Sequence, residues 1–142
     1  MSKVAVVYWS STGNTEAMAN AVADGIREKG GEAVLHTCED FDGSKVAEYD
    51  AIAFGCPAMG DEVLEDTEFE PMFDGCKETL KGKNIALFGS YGWGDGEWMR
   101  DGADRMKNAG AQLIREEGII ANEAPEDDVL EELKAAGKEL AE

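Results

Sequence analysis

The sequence predicts an α/β fold: an open, doubly wound parallel sheet of five strands with helices on both faces. Three observations predict it. Short runs that are apolar on consecutive residues, at 3–9, 51–55 and 84–89, are typical of strands buried on both faces. Segments with helical spacing of apolar residues separate these strands. Stretches rich in glycine and hydroxyl side chains follow the strand ends, where such sheets bind ligands.

The remaining elements fit the same alternation of strand and helix. A weaker apolar run at 32–37 is typical of an edge strand, and 112–121 is predicted as the last strand, interrupted by charges at 115–117 and by Gly118. Helices are predicted at 15–29, 70–80, 96–108 and 126–140. The spacing favours the strand order 2-1-3-4-5 in a single domain that spans residues 1–142.

Composition limits the classes of partner. The 142 residues carry a net charge of −18, which argues against binding nucleic acid or an anionic membrane through a basic surface. Such a charge either favours basic protein partners or only serves solubility. No apolar stretch approaches the length of a membrane span, so a cytoplasmic protein is expected. The three cysteines are widely spaced without a C-x-x-C motif, which predicts buried thiols rather than a disulfide or zinc site.

The first candidate site is the loop SSTGNT, residues 10–15, between the first strand and the first helix. It places hydroxyl groups and backbone N–H groups at the positive end of a helix dipole, which is favourable for an anion. The chain has no G-x-x-x-x-G-K-[ST] and no G-x-G-x-x-G, so tightly held nucleoside triphosphates and NAD are not expected. A single phosphomonoester fits the loop. The alternative is that the loop only caps the helix.

Two further loops leave the third and fourth strands. CPAMGDEVLED, residues 56–66, contains a predicted tight turn around Gly60, which adopts positive φ at low cost. GSYGWGDGEW, residues 89–98, surrounds Tyr91 and Trp93 with glycine, so that the backbone can approach a flat ligand while an aromatic ring covers it. Together the three loops offer a phosphate pocket, a glycine turn and an aromatic plate at one edge of the sheet.

These loops resemble those of flavodoxins, specifically the short-chain kind of anaerobic bacteria. The resemblance covers nearly the whole chain and is carried by YWSSTGNTEAMA, GCPAMGDEVLEDTEFEP and LFGSYGWGDGEWMRD. It implies non-covalently bound FMN and an electron-transfer protein rather than an enzyme. It further implies a low-potential one-electron carrier that shuttles between the semiquinone and hydroquinone forms of the flavin.

The resemblance also implies the cofactor-binding residues. The phosphate is expected among Ser10, Ser11, Thr12, Gly13, Asn14 and Thr15. The flavin ring is expected against Pro57, Ala58, Met59, Gly60, Asp61, Glu62, Ser90, Tyr91, Gly92, Trp93 and Gly94. Met59 would lie on the inner face of the ring and Trp93 on the outer face, with Gly60 beside N5. Pro57 has no N–H to donate, so it would contribute shape alone.

The resemblance implies redox proteins with basic docking surfaces as partners, such as ferredoxin-dependent oxidoreductases or reductases, and a monomeric carrier. Acidic residues without an intervening base follow Gly60: Asp61, Glu62, Glu65, Asp66, Glu68 and Glu70. They would oppose the anionic hydroquinone and guide the flavin edge toward basic patches.

Two other classes share this strand order. A flavin enzyme that oxidises NAD(P)H usually carries extra segments for the nicotinamide, and 142 residues leave little room for them. A phospho-accepting receiver needs acidic residues after strand 1 and an Asp at the end of strand 3, where this chain has Ser10-Ser11 and Cys56-Pro57. His36 lies far from all three loops in the sequence, so a structural role is expected for it rather than a ligand role.

Overall fold

A parallel β-sheet forms the centre of the computed structural model, which describes residues 2–9, 13–57, 69–91, 96–115, 118–122 and 125–141. Its strands are β1 (Lys3–Tyr8), β2 (Glu32–Thr37), β3 (Ala51–Gly55), β4 (Asn84–Tyr91), β5 (Gln112–Leu113) and β6 (Ile119–Asn122). The strand order is β2-β1-β3-β4-β5, as the sequence predicted, and β6 also pairs with β4. All pairs are parallel.

The last strand is interrupted, as the sequence predicted, and two short strands occupy its position. β5 pairs with the start of β4 at Asn84 and Ile85, and β6 pairs with its end, from Phe88 to Tyr91. Among the described residues, the sheet therefore has six strand segments, of which β5 and β6 share the fifth position. The chain between them contains Gly118 at φ +80°, a left-handed conformation that breaks the extended backbone.

The described residues form four α-helices, which cover the sheet. They are α1 (Asn14–Glu28), α2 (Phe69–Cys76), α3 (Glu97–Asn108) and α4 (Asp127–Leu140). The predicted helix over 70–80 is shorter as an α-helix, because a 3₁₀ turn over Lys77–Thr79 completes it. Two 3₁₀ segments between β2 and β3, Cys38–Asp40 and Gly43–Glu48, had no counterpart in the sequence prediction.

Two apolar layers pack on the two faces of the sheet. One joins Val4 and Val6 of β1 to Met18 and Val22 of α1 and to Leu133 of α4. The other contains aromatic rings, and the rings of Phe54 and Phe73 meet edge to face with centroids 5.3 Å apart. The helical methionines predicted as core residues are buried: Met18, Met72, Met99 and Met106. Burial of successive β1 residues on opposite faces explains why the strand is apolar throughout.

Helices α1 and α4 cross at unusually short range. A Cβ placed on Gly25 would overlap the carbonyl oxygen of Lys134, and a Cβ placed on Gly137 would overlap that of Val22. Each glycine thus admits the backbone of the other helix. The crossing depends on both residues having no side chain.

His36 has the structural role expected of it. Its Nε2 lies 2.7 Å from the hydroxyl oxygen of Tyr49, and its ring packs against Phe41. Partial burial, followed by the nearby charge of Lys45, lowers the pKa of His36. The thiols of Cys38, Cys56 and Cys76 are buried and unbridged, as predicted.

No helix in the described part of the chain combines the length and the apolar character needed to cross a bilayer.

Candidate functional site

The carboxyl ends of β1, β3 and β4 meet at one edge of the sheet. Tyr8 pairs with Gly55, which in turn pairs with Phe88. The pairing continues briefly past the strand ends, because Trp9 N donates to Gly55 O at 3.0 Å and Cys56 N donates to Phe88 O at 3.0 Å. The three loops singled out in the sequence therefore all leave the sheet at this edge.

The first loop enters α1 through a glycine. Gly13 is the N-cap of α1 at φ +92°, and its carbonyl accepts the first helical hydrogen bond from Ala17 N at 3.0 Å. A glycine has no side-chain oxygen to accept hydrogen bonds from the first turn, where N–H groups lack partners within the helix. A Cβ placed on Gly13 would meet no atom of the described residues within 4 Å, so the described part of the chain leaves room beside this turn. Such a helix start can accept an external anion.

The first and third loops meet through two buried hydroxyl groups. Thr15 is 0% exposed and Ser90 is 5% exposed, although both side chains are polar. Their hydroxyl oxygens lie 3.5 Å apart. This is longer than the usual O–H···O distance of about 2.7–2.8 Å, so a hydrogen bond between the two hydroxyls is weak. Residues 75 positions apart in the chain thus form one polar spot at the start of α1.

The base of the second loop is held by a residue that the sequence analysis did not assign to the site. The indole Nε1 of Trp98 donates to the carbonyl oxygen of Cys56 at 2.9 Å in a buried hydrogen bond. Trp98 is the last residue of the third loop as the sequence defined it, and it lies in the first turn of α3. The signal available in the sequence was this place at the end of the glycine-rich stretch, because a helix that starts there faces the same edge of the sheet.

Two tyrosines border this edge. The half-buried ring of Tyr91 packs against Trp98 with centroids 5.6 Å apart. Burial, and then the neighbouring carboxylate of Glu16, raise the pKa of Tyr8, whose hydroxyl lies 3.5 Å from a Glu16 oxygen. The Tyr8 phenol is therefore a neutral group in the physiological range.

The predicted site residues divide into two groups. The structure brings Gly13, Asn14, Thr15, Pro57, Ser90 and Tyr91 to this edge. The others lie outside the described residues and stay predictions: Ser10, Ser11, Thr12, Ala58, Met59, Gly60, Asp61, Glu62, Gly92, Trp93 and Gly94. Among the residues that are described, no cluster of His, Cys, Asp and Glu is suited to a metal ion.

Comparison with known proteins gives the family. The flavodoxin family model matches residues 6–137. The chain belongs to the flavodoxin family. It is 46% identical to a flavodoxin of Clostridium beijerinckii over 121 residues, which make up 85% of the chain and 88% of that relative. It is 47% identical to a flavodoxin of Megasphaera elsdenii over 123 residues, 87% of the chain and 88% of the relative.

The fold agrees with a solved flavodoxin. The solution structure of two-electron reduced Megasphaera elsdenii flavodoxin superimposes with a TM-score of 0.89 at 44% identity, and the match covers 96% of this chain and 98% of that one. Flavodoxins bind FMN and transfer electrons, so FMN is the cofactor of this flavodoxin and its role is electron transfer rather than enzymatic catalysis.

The described residues of this flavodoxin fit the phosphate end of FMN. A phosphomonoester needs several hydrogen-bond donors and a favourable dipole. The start of α1 supplies the dipole, the described residues leave room beside Gly13, and Thr15 supplies a hydroxyl donor. The FMN supplies reversible electron storage when it is bound; the protein supplies the surroundings that hold the phosphate and limit water.

Proposed function

We propose that this flavodoxin is a low-potential one-electron carrier whose FMN shuttles between the semiquinone and hydroquinone forms. One observation carries the proposal: the buried hydroxyls of Thr15 and Ser90 lie 3.5 Å apart at the start of α1, where two predicted cofactor loops converge. Family membership supports the electron-transfer role. The sequence of the remaining loop residues supports the low potential.

The proposal assigns the loops separate tasks. The phosphate is held by Ser10, Ser11, Thr12, Gly13, Asn14 and Thr15, and the ring is enclosed by Pro57, Ala58, Met59, Gly60, Asp61, Glu62, Ser90, Tyr91, Gly92, Trp93 and Gly94. Met59 and Trp93 cover opposite faces of the ring and limit its contact with water. The peptide carbonyl at Gly60 would accept a hydrogen bond from the protonated N5 of bound FMN, and glycine permits the required rotation because both turn types cost it little.

Negative charge lowers the second reduction potential in this proposal. An acidic side chain about 10 Å away contributes roughly 0.4 kcal/mol in a water-like dielectric. Several acidic residues lie between Asp61 and Glu70, so their small electrostatic contributions to the potential add up. Exclusion of water by Met59 and Trp93 acts in the same direction, because an anion is less stable away from water.

The cofactor edge is also the proposed docking surface for redox proteins with basic patches, such as ferredoxin-dependent oxidoreductases or reductases. Acidic residues occupy the first turn of every α-helix: Glu16, Glu70, Glu97, Asp127 and Asp128. Basic residues occur in the last turns of three of these helices, for example Arg27, Lys107 and Lys138. Negative charge therefore collects at the helix starts. This arrangement supports a transient complex formed by a monomer in the cytoplasm.

Stepwise anaerobic reduction of the FMN-bound protein tests the electron-transfer proposal. Absorption spectra should show two separate one-electron steps, with the long-wavelength band of a neutral flavin radical between them. A single two-electron step without that band would contradict the proposal. Steady oxidation of NAD(P)H by the purified protein alone would instead favour the flavin-enzyme alternative.

Thr15→Val is expected to raise the dissociation constant of FMN by about 10–100-fold, because it removes a hydrogen bond to a charged phosphate worth about 1.5–3 kcal/mol. Valine nearly preserves the shape of this fully buried side chain. Fluorescence titration with FMN measures the change. Thr79→Val is the matched control, since its hydroxyl donates to Cys76 O at 2.8 Å before β4, away from the cofactor edge. Equal FMN affinities of Thr15→Val and Thr79→Val would show that Thr15 does not bind the phosphate.

Electron transfer to a ferredoxin-dependent oxidoreductase is expected to slow at least tenfold as salt screens the interaction, in line with steered association. Stopped-flow rates at increasing ionic strength measure this. Glu16→Gln should slow the reaction at low salt, whereas Glu78→Gln should not, although each variant loses the same charge. Glu16 lies in the first turn of α1 and Glu78 in the 3₁₀ turn that precedes β4. Identical rates for both variants would argue against a docking surface at this edge.

A further inference from the structure

We propose that Trp98 is a positioning residue that fixes the base of the second loop and thereby controls FMN affinity and the stability of its one-electron-reduced form. The inference rests on the proposed function, because it assigns a task to a residue outside the predicted cofactor contacts. The observation that supports the inference is the buried 2.9 Å hydrogen bond from Trp98 Nε1 to the carbonyl oxygen of Cys56.

The Cys56 peptide is held from both sides. Its N–H donates to Phe88 O at 3.0 Å, and its carbonyl accepts the indole of Trp98. The carbonyl also lies so close to β4 that a Cβ on Gly89 would overlap it. β3 ends at Gly55, so these contacts fix the direction in which the chain leaves the sheet.

Trp98 is itself fixed. Its side chain is 1% exposed and belongs to the aromatic core layer on its face of the sheet. It lies in the first turn of α3, which follows Gly96 at φ +97°, and the N–H groups of Met99 and Arg100 both donate to Gly96 O at 3.0 Å. A donor held by packing and by a helix start loses little freedom when it makes its hydrogen bond.

This hydrogen bond joins two loops that the chain separates. The third loop runs directly into α3, and the second loop begins at Cys56. The proposed ring contacts on the two faces of FMN, Met59 and Trp93, therefore extend from backbones connected through Trp98. Gly60 lies only four residues beyond the fixed carbonyl in the sequence, so we expect the anchor to influence its peptide.

The test is Trp98→Phe, which keeps an aromatic ring and removes the N–H. The dissociation constant of FMN should rise about tenfold, and the equilibrium constant for forming the one-electron-reduced form should fall about tenfold, as for a lost buried hydrogen bond. Tyr49→Phe is the matched control. It removes the buried hydroxyl that lies 2.7 Å from His36 Nε2, just before β3 begins. Both variants should lose stability in urea, and only Trp98→Phe should change affinity and potentials.

Two outcomes overturn the inference. One is that Trp98→Phe loses stability as Tyr49→Phe does while its FMN affinity and one-electron potentials stay those of the unmodified protein. The other is unchanged hydrogen exchange of the amides at 56 and 58–62, which should become faster in Trp98→Phe. The exchange experiment uses the protein as purified, so it decides the positioning role even if the unmodified chain binds no FMN. A failure of the unmodified chain to bind FMN would refute the proposed function separately.

A measurement on the unmodified protein decides the matter if Trp98→Phe does not fold. The indole N–H of Trp98 should exchange with solvent more slowly with FMN bound than after FMN is removed, because the cofactor and the anchored loop stabilise each other. Equal exchange rates in the two states would overturn the coupling.

Discussion

Replacing Gly25 by alanine is expected to lower the free energy of unfolding by about 3 kcal/mol, although alanine is normally the better helix residue by about 1 kcal/mol. The reason is the crossing of α1 and α4. The new methyl group would overlap the carbonyl oxygen of Lys134, and the Cα of Lys134 would lie only 2.9 Å away. These are backbone atoms of a regular helix, so they cannot rotate aside as the end of a side chain would. The helices must separate, and the apolar layer between them loses contacts.

Urea unfolding at a fixed excess of FMN measures the effect, with the FMN affinity of each variant determined separately. Gly75→Ala is the control, because a Cβ on this helical residue would meet no atom within 4 Å. The control should be neutral or more stable. Gly137→Ala should be destabilised like Gly25→Ala, and the double variant by less than the sum, since helices already pushed apart admit the second methyl group more easily. Stability of Gly25→Ala equal to that of the control would refute the close crossing.

Gly89→Ala is expected to lower stability by about 2–3 kcal/mol and to raise the dissociation constant of FMN at least tenfold. Gly89 lies in β4 beside the chain that leaves β3. A Cβ there would overlap the carbonyl oxygen of Cys56 and would lie 3.2 Å from Cε of Met99. The methionine end can move aside, but the Cys56 carbonyl is the acceptor of Trp98 Nε1. The substitution therefore displaces the second loop at its base.

Calorimetric titration with FMN and urea unfolding separate the two expected effects of Gly89→Ala. Gly25→Ala supplies a comparison of similar instability, with its change far from Cys56. If both variants lose stability but Gly89→Ala loses more FMN affinity than Gly25→Ala does, the extra loss of affinity comes from the local displacement at Cys56. An unchanged FMN affinity in Gly89→Ala would mean that the position of the Cys56 carbonyl has no influence on the cofactor.

Much of the sheet follows from local sequence. A strand such as β1, buried on both faces, must be apolar on consecutive residues, and this pattern is visible without knowledge of its neighbours. The order of the strands follows from the alternation with helices. The loop at 10–15 and the glycine-rich loop at 89–98 could be assigned to one site because carboxyl ends of parallel strands share one edge. The buried approach of Thr15 to Ser90 agrees with that assignment.

Other features depend on contacts that no local pattern encodes. The break between β5 and β6 is visible as charges and a glycine, but the pairing of both pieces with β4 is a property of the assembled sheet. The 3₁₀ segments at Cys38–Asp40 and Gly43–Glu48 lack a helical apolar period. The role of Trp98 depends on the partner of its indole N–H, which lies 42 residues away in the chain. The need for glycine at position 25 likewise becomes evident only from the backbone of Lys134, which packs against it.

The crossing of α1 and α4 has a consequence for synthesis on the ribosome. α1 emerges early, yet Val22 and Ile26 find Leu133, Ala136 and Leu140 of α4 only after every strand has left the exit tunnel. Until then the nascent chain presents an apolar stripe without its partner. Glycine at the crossing lowers the intrinsic helical propensity of α1 at that point. The apolar stripe of α1 is therefore stabilised late, when α4 docks on it. Nascent chains halted before α4 should therefore be the ones that chaperones engage.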